Sequence, residues 1–288
     1  MIKYNPKIWF SHIITIRKSD TLFILWKELV MLTVFVFGLS YIEINYFENM
    51  KKWSELIAVY SLIGFVLSLL LVFRTNTAYD RWWEGRKKWG ELLNNSRSFA
   101  IKINAAIDST EDKTFFKRMI TNYAIALKEH LRDNKSFQLL DLTPEELDKI
   151  KSIDHEPNFI SNLMYQKLKS IQKRGNLSEI DYMILDTNLN SFIDVLGVCE
   201  RIKNTPIPYS YSNFLKKFIF IYVITIPLAF VGSFGYYSVL VSIFIFYVLV
   251  SIEILAEEIE DPFGTDDNDL PTDDLTLKIA ANVKEILS

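Results

Sequence analysis

Acidic side chains are concentrated in one short stretch near the carboxyl end of the chain, where they could bind a cation. Nine acidic residues lie between positions 257 and 274, and no lysine or arginine lies among them. Hard cations such as calcium prefer oxygen ligands of this kind. The segment DPFGTDDND (261–269) lacks the glycine that an EF-hand loop has at its sixth position. The stretch therefore does not predict a general calcium loop, and a solvated acidic turn is the alternative.

The chain contains few other residues suited to catalysis or metal binding. Its three histidines, His12, His130 and His155, are scattered in sequence, so the pattern favours surface histidines over a zinc site. The sequence has no glycine-rich phosphate loop, no HExxH and no GxSxG motif. The single cysteine, Cys199, lies in an apolar helical context that is typical of a small core residue. These observations predict neither an enzyme nor a required cofactor.

A stripe of bulky apolar residues marks one face of a predicted helix. Residues 56–73 carry no charge over 18 positions, which is long enough to cross most of a hydrocarbon core. On this segment Phe65, Leu69 and Phe73 recur at i, i+4 and i+8, and so share one face. A helix that lines an oligomeric pore needs a face of this kind. A span whose bulky residues face lipid is the alternative.

A second stripe on the same segment consists of small residues. Ser61, Gly64 and Ser68 would let another helix approach closely. Charged residues and tryptophans begin abruptly at Arg74, but no proline interrupts the chain there. We therefore predict one continuous helix that leaves the membrane near Arg74 and runs on into the cytosol.

Apolar segments elsewhere predict four membrane spans in total. The chain has 288 residues, of which 50% are hydrophobic, and these residues cluster. A first span is predicted at about 22–46, followed by a linker from Glu43 to Glu55, and 56–73 forms the second span. The run 218–252 has no charge over 35 residues and is too long for one crossing, so its Gly-Ser-Phe-Gly segment is predicted to divide it into a helical hairpin. Pro227 is predicted to kink the first helix of that hairpin.

The polar middle of the chain is predicted to be helical throughout. Thr143 followed by Pro144 is a typical helix start, and Ser178 has the cap spacing for a helix that runs to about Ile202. No useful strand alternation is present, so the predicted fold class is all-α, with a short amphipathic segment at 275–287. The predicted segments are an N-terminal segment with spans one and two (1–73), a cytosolic helical domain (74–213), spans three and four (214–255), and an acidic loop with the C-terminal tail (256–288).

Basic residues predict how the chain is oriented in the membrane. They are concentrated before span one, after span two and before span three, whereas the two opposite loops are short and contain few. The positive-inside rule therefore places both termini and the 74–213 region in the cytosol. No cleavable signal is predicted in the first 20 residues. A net charge of −3 gives no reason to expect nucleic acid as a partner.

Three motifs in this order resemble the bestrophin family, particularly its prokaryotic members. They are FRTNTAYDRWWEGRKKWG after the second span, CERIKNTPIP before the third, and EDPFGTDDNDLP after the fourth. The resemblance covers nearly the whole chain. It implies a homopentameric channel in the bacterial inner membrane, with one axial pore lined by the second span of each subunit. It also implies conduction of monovalent ions, either chloride or, as in a prokaryotic member, cations such as sodium.

The resemblance also implies which residues form the pore. The hydrophobic neck of the family falls on Phe65, Leu69 and Phe73 of this chain. The cytosolic aperture falls on Ile180, with Met183 and Ile184 as further candidates one turn on.

Animal bestrophins bind calcium in an acidic clasp, and the matching carboxylates here are Asp266 and Asp269. Thr265 and Asn268 stand where the clasp has acids, so calcium is possible at this loop but is not expected to be required. A secondary transporter or a non-conducting membrane regulatory protein is the alternative function. Four spans, the absence of an inverted repeat and the absence of ionisable residues in the middle of spans two to four argue against transport.

Overall fold

The computed structural model describes residues 21–46 and 55–288, which contain nine α-helices and no strand. The helices are α1 (Thr21–Tyr46), α2 (Leu56–Ala106), α3 (Thr110–Leu131), α4 (Pro144–Ile150), α5 (Glu156–Lys173), α6 (Glu179–Asn204), α7 (Tyr209–Phe234), α8 (Tyr237–Glu260) and α9 (Thr272–Ile286). The all-α prediction is confirmed. The basic N-terminal segment, which includes His12, lies outside the described residues.

The described chain divides into two compact units. Residues 81–205 and 261–288 form one, which we call the polar unit, and residues 21–46, 55–80 and 206–260 form the other, which we call the apolar unit. Helix α2 contributes residues to both. The four segments expected from the sequence stay a prediction about how the chain is organised around the membrane.

Four helices, α1, α2, α7 and α8, are long and apolar enough to cross a membrane, as predicted. The first of them, α1, matches the span predicted at about 22–46. Glu43 lies within α1, which continues to Tyr46, so the prediction that the linker begins at Glu43 was wrong. One acidic residue does not end a helix, because glutamate has a good helix propensity.

The predicted hairpin between the last two spans is confirmed. Helix α7 ends at Phe234, Gly235 has a φ of +52°, and α8 begins two residues later. Glycine adopts this left-handed backbone without the steric cost that a Cβ atom would bring. Pro227 lies inside α7, and the kink expected there stays a prediction.

Helix α2 packs in the apolar unit through its small and aliphatic residues. Leu67 and Leu71 are buried in a core that includes Val223 of α7. A Cβ atom at Gly64 would lie 2.7 Å from the hydroxyl oxygen of Tyr222, so the glycine permits this contact. Gly64 therefore accommodates one tyrosine side chain of α7, and the close approach of a helix along the small stripe stays a prediction.

Aromatic side chains fill the core of the polar unit. Phe99 lies edge-on to Phe116 and Phe192, with ring centroids 5.7 and 5.9 Å apart. The hydroxyl of Tyr123 donates to the carbonyl oxygen of Phe192 over 2.6 Å. Because large aromatic groups dominate the energetics of a core, these contacts fix the position of α6, which carries Phe192.

Two predicted helix starts in the polar unit are confirmed. At α4, Thr143 accepts from the backbone N–H of Glu146, whose carboxylate accepts from the N–H of Thr143, a complete capping box. At α6, the hydroxyl of Ser178 accepts from the N–H of Asp181. The amphipathic segment expected near the C-terminus is α9.

Candidate functional site

The bulky stripe of α2 is exposed in the protomer. Phe65, Leu69 and Phe73 have 67%, 45% and 56% of their surface exposed, whereas Leu67 and Leu71 on the opposite side are buried. The helix therefore packs in its own unit through one face and presents the bulky face outward. That outward face is available to a pore, to lipid or to a second copy.

Hydroxyl groups near the stripe are already bonded to their own helix. Ser61 and Ser68 donate to the carbonyl oxygens four residues earlier over 2.9 and 2.8 Å, and Thr77 donates to the carbonyl of Phe73 over 2.9 Å. No formal charge lies between positions 56 and 73. The exposed face is therefore apolar, with nothing to attract an ion of one sign.

Arg74, the first charge after the apolar half of α2, is buried in the apolar unit. Its guanidinium lies 2.6 Å from the carboxylate of Glu260 and 3.6 Å from that of Glu253, and only 1% of its side chain is exposed. Glu260 also accepts from the N–H of Ile207 over 2.7 Å. The cluster joins α2, α8 and the segment before α7 where the apolar part of α2 ends.

The sequence pattern did not predict this cluster. Its only signal is that Arg74 and Glu253 are the first charges to follow two long apolar runs. Both carboxylates lie about 180 positions further along the chain, so spacing alone could not connect them with Arg74.

The start of α6 carries three exposed apolar side chains on one face. Ile180, Met183 and Ile184 are 70%, 65% and 44% exposed, at i, i+3 and i+4. Leu185 and Leu189 on the other side of the helix are buried. The Ser178 cap fixes the first turn. These side chains are the expected aperture residues, and Ile180 and Met183 are mostly exposed in the protomer, whereas more than half of Ile184 is covered.

The acidic loop after α8 is folded around one buried carboxylate. Asp269 is 1% exposed, and its Oδ2 atom accepts from the N–H of Asp266 over 2.7 Å. Its Oδ1 atom is buried without a hydrogen-bond partner among the described residues. Burial raises the pKa of Asp269 to about 7. Asp266, in contrast, is exposed.

Basic residues hold the carboxyl end of this loop. Asp273 is bonded to Arg132 and to Lys128, each over 2.8 Å. The hydrogen bond from Arg132 lowers the pKa of Asp273 to about 2, although partial burial opposes the shift. The fold therefore holds Asp269 and Asp273 in place, whereas Asp261 and Asp266 are exposed, and a solvated turn stays an alternative for the rest of the stretch.

Two of the three histidines lie side by side in the polar unit, which their separation in sequence did not predict. The Nε2 atoms of His130 and His155 lie 2.7 and 2.8 Å from one carboxylate oxygen of Glu200. The residue before it, Cys199, is fully buried, and burial raises the pKa of its thiol to about 12. The prediction that Cys199 is a core residue is confirmed.

Comparisons with known proteins point to a single family. Residues 1–285 match the family model described as Bacterial/Fungal Bestrophin protein. A voltage-dependent anion channel-forming protein of Nostoc sp. (strain PCC 7120) is 36% identical over 230 residues, which are 77% of this chain and 75% of that protein. The voltage-dependent anion channel-forming protein YneE of Escherichia coli (strain K12) is 34% identical over 219 residues, 75% of this chain and 72% of that protein.

Solved structures agree with the sequence comparisons. A crystal structure of a bacterial bestrophin homologue from Klebsiella pneumoniae superposes with a TM-score of 0.82 at 28% identity. The match covers 91% of this chain and 98% of that one. The resemblance expected from three sequence motifs therefore extends over the whole fold.

Proposed function

This chain belongs to the bacterial and fungal bestrophin family, and we propose that it is an ion channel assembled from identical copies. The bulky stripe on α2 carries the proposal, because Phe65, Leu69 and Phe73 recur every four residues on one exposed apolar face of a helix long enough to cross a membrane. The names of the relatives, which are anion channel-forming proteins, support it.

The proposed assembly is a homopentamer. A protomer with four spans has one helix of the pore type and cannot enclose a pore alone. Five copies of α2 around an axis would bring Phe65, Leu69 and Phe73 into three stacked apolar rings. Mass measurement of the detergent-extracted complex should give five chains, and a monomer or dimer would contradict the assembly.

The proposed conduction path has two constrictions. The α2 stripe forms the neck in the membrane, and Ile180, with Met183 and Ile184, forms a second apolar ring at the cytosolic exit. Bulky apolar rings gate by dewetting and do not select the sign of an ion. We therefore assign the pore to monovalent ions, with chloride and sodium as the two candidates.

The proposed location is the bacterial inner membrane, with both termini and the polar unit in the cytosol. The support is the distribution of lysine and arginine, which flank the spans on one side. Access of a membrane-impermeant thiol reagent to a single cysteine placed at Leu277 in a Cys199→Ala background would test this. Labelling should require permeabilised cells, and labelling of intact cells would reverse the orientation.

Reconstitution in a planar bilayer tests the channel itself. Unitary current steps are expected, and coupled flux without such steps would instead indicate a secondary transporter. The reversal potential under a salt gradient then identifies the permeant ion, because its sign differs for anions and cations.

Calcium binding at the acidic loop is a separate part of the proposal. Asp269 fits a cation ligand, because its Oδ1 atom is buried and lacks a hydrogen-bond partner in the described chain. The exposed Asp266 would be the second ligand. Because neighbouring Asp273 is already paired with Arg132, we expect only a small calcium effect on stability. Melting curves with and without calcium test this, and a large wild-type shift lost in Asp269→Asn would show that the site matters more.

A further inference from the structure

We propose that His130, His155 and Glu200 form a binding site for one zinc ion in the polar unit. Within residues 21–46 and 55–288, this is the one group of three or more histidine, cysteine or acidic residues placed to hold a metal ion. The inference is independent of the channel proposal, since it concerns a different set of side chains and a different ligand.

The three side chains come from three helices that the fold brings together. His130 lies in the last turn of α3, His155 is the residue that caps α5, and Glu200 lies near the end of α6. The two imidazole rings are 4.5 Å apart between centroids, and all three ligand atoms lie within 4.8 Å of one another. All three residues are partly buried, so the site is shielded but open to a small ion.

The chemistry of these ligands favours zinc over the hard cations. Two imidazole nitrogens with one carboxylate oxygen are a common ligand set for Zn²⁺, whereas calcium and magnesium prefer oxygen alone. A fourth position on a tetrahedral ion would be filled by water. The site is therefore chemically distinct from the acidic loop at Asp269.

The spacing of the ligand atoms requires only a small adjustment. Both Nε2 atoms now lie 2.7 to 2.8 Å from the same oxygen of Glu200. Ligand atoms about 2.0 to 2.2 Å from a tetrahedral zinc ion are about 3.3 Å apart. A slight rotation of the Glu200 side chain away from the two rings would give this separation.

The nearby ammonium group of Lys203 does not pair with the carboxylate of Glu200. Lys203, three residues further along α6, donates to Asp133 over 2.5 Å and to the backbone carbonyl of His130 over 3.2 Å. Its ammonium group is therefore held by other acceptors. The carboxylate of Glu200 faces the two rings instead.

The residue that caps α5 gives a second argument. Serine, threonine, aspartate and asparagine are the favoured caps, whereas His155 caps through Nδ1, which accepts from the N–H of Asn158 over a long 3.4 Å. This use of Nδ1 leaves Nε2 directed at Glu200. Metal binding by Nε2, together with His130 and Glu200, explains why a histidine occupies this cap.

Zinc binding would break the capping hydrogen bond between the N–H of Asn158 and Nδ1 of His155. Coordination through Nε2 moves the ring proton to Nδ1, which can then no longer accept from Asn158. The N–H of Asn158 is at an exposed hydrogen bond, so water can replace the lost acceptor. Binding thus replaces one weak bond with a link between α3, α5 and α6.

Equilibrium dialysis of the detergent-solubilised full-length protein against zinc, with metal analysis, tests the site. Wild type should bind one zinc per protomer at this site. His155→Asn and Glu200→Gln should each weaken binding at least tenfold. Glu179→Gln is the matched control for Glu200→Gln, because it removes an exposed carboxylate of the same helix that is not part of the cluster, and it should bind as wild type does.

Thermal melting distinguishes a loss of zinc binding from a loss of the fold. Zinc should raise the melting temperature of wild type, and magnesium at equal concentration should not. His155→Asn should keep the metal-free melting temperature, because asparagine is a favoured cap, and should lose the response to zinc. Zinc binding to His155→Asn and Glu200→Gln as tight as to wild type, or no binding to wild type, would overturn the proposal.

Discussion

Two groups of apolar side chains, the α2 stripe and the start of α6, are both exposed in the protomer. Their exposure does not have the same explanation. Phe65, Leu69 and Phe73 lie on a helix that is apolar enough to cross a membrane, where exposure in the protomer is expected against lipid. Ile180 and Met183 begin α6, a helix of the polar unit that is not among the four apolar enough to cross a membrane, so a membrane span does not account for their exposure.

The difference shows that exposed apolar side chains indicate a function only where the surroundings are water, because such side chains are expected in lipid. On α2 the pattern of the stripe supports a pore, while its exposure alone does not. On α6 the exposure itself is the argument, because the first turn of a solvated helix suits acidic residues, and Glu179 and Asp181 occupy its other positions. The predictions below separate a pore role from the alternative in each group.

The largest effect is expected from the neck. Replacing Phe65, Leu69 and Phe73 together with alanine should raise unitary conductance severalfold, because three apolar rings become wider and easier to wet. Single-channel recording measures this. If the residues face lipid, a triple variant that still assembles will conduct as wild type does.

A charge at the start of α6 should change ion preference. In Ile180→Asp, carboxylates that meet on an axis should shift the reversal potential toward cations and lower the stability of the assembly through mutual repulsion. If the side chain is merely solvated, aspartate in a first turn should instead stabilise the helix by about 0.3 to 1 kcal/mol and leave permeability unchanged.

Truncation at the same position should have a smaller effect. Ile180→Ala should raise conductance modestly, while the free energy of unfolding changes by no more than about 0.5 kcal/mol, because the side chain is exposed. A core isoleucine would lose about 2 to 5 kcal/mol. A sharp drop in melting temperature with unchanged current would place the aperture elsewhere.

The smallest effects are expected from two matched controls. Phe35 on α1 is 47% exposed in the apolar unit, and Leu277 on α9 is 68% exposed in the polar unit. Phe35→Ala and Leu277→Ala should each leave unitary conductance and reversal potential at wild-type values. A change as large as that of the corresponding pore variant would mean that exposure alone produces it.

Features that depend on neighbouring residues could be predicted from the sequence. The caps at Thr143 and Ser178 act within three positions, and the spans follow from uninterrupted apolar runs. The exposed face of α2 could be drawn as a stripe, but its opposite face at Leu67 and Leu71 is equally apolar. Which of two apolar faces packs inside the unit depends on the other helices.

Contacts between distant parts of the chain could not be predicted. Glu200 meets His130 and His155 across separations of 70 and 45 residues, and a histidine pattern in sequence contains no sign of it. The loop that contains Asp269 is likewise held by a distant contact, because the indole N–H of Trp82 donates to the carbonyl oxygen of Asn268 over 3.0 Å. Such contacts are set by helix packing, which the local pattern does not encode.

The buried pair of Arg74 and Glu260 also sets an order of events during synthesis. The two residues are 186 positions apart, so at about 5 to 20 residues per second the ribosome needs roughly 10 to 40 s to reach the second one. The first two spans have by then been made without the acidic partners of the arginine. Until α8 is made, the guanidinium has neither carboxylate beside it and needs water or other acceptors. Because Arg74 lies just after the apolar part of α2, rather than within it, water can hydrate the guanidinium until then.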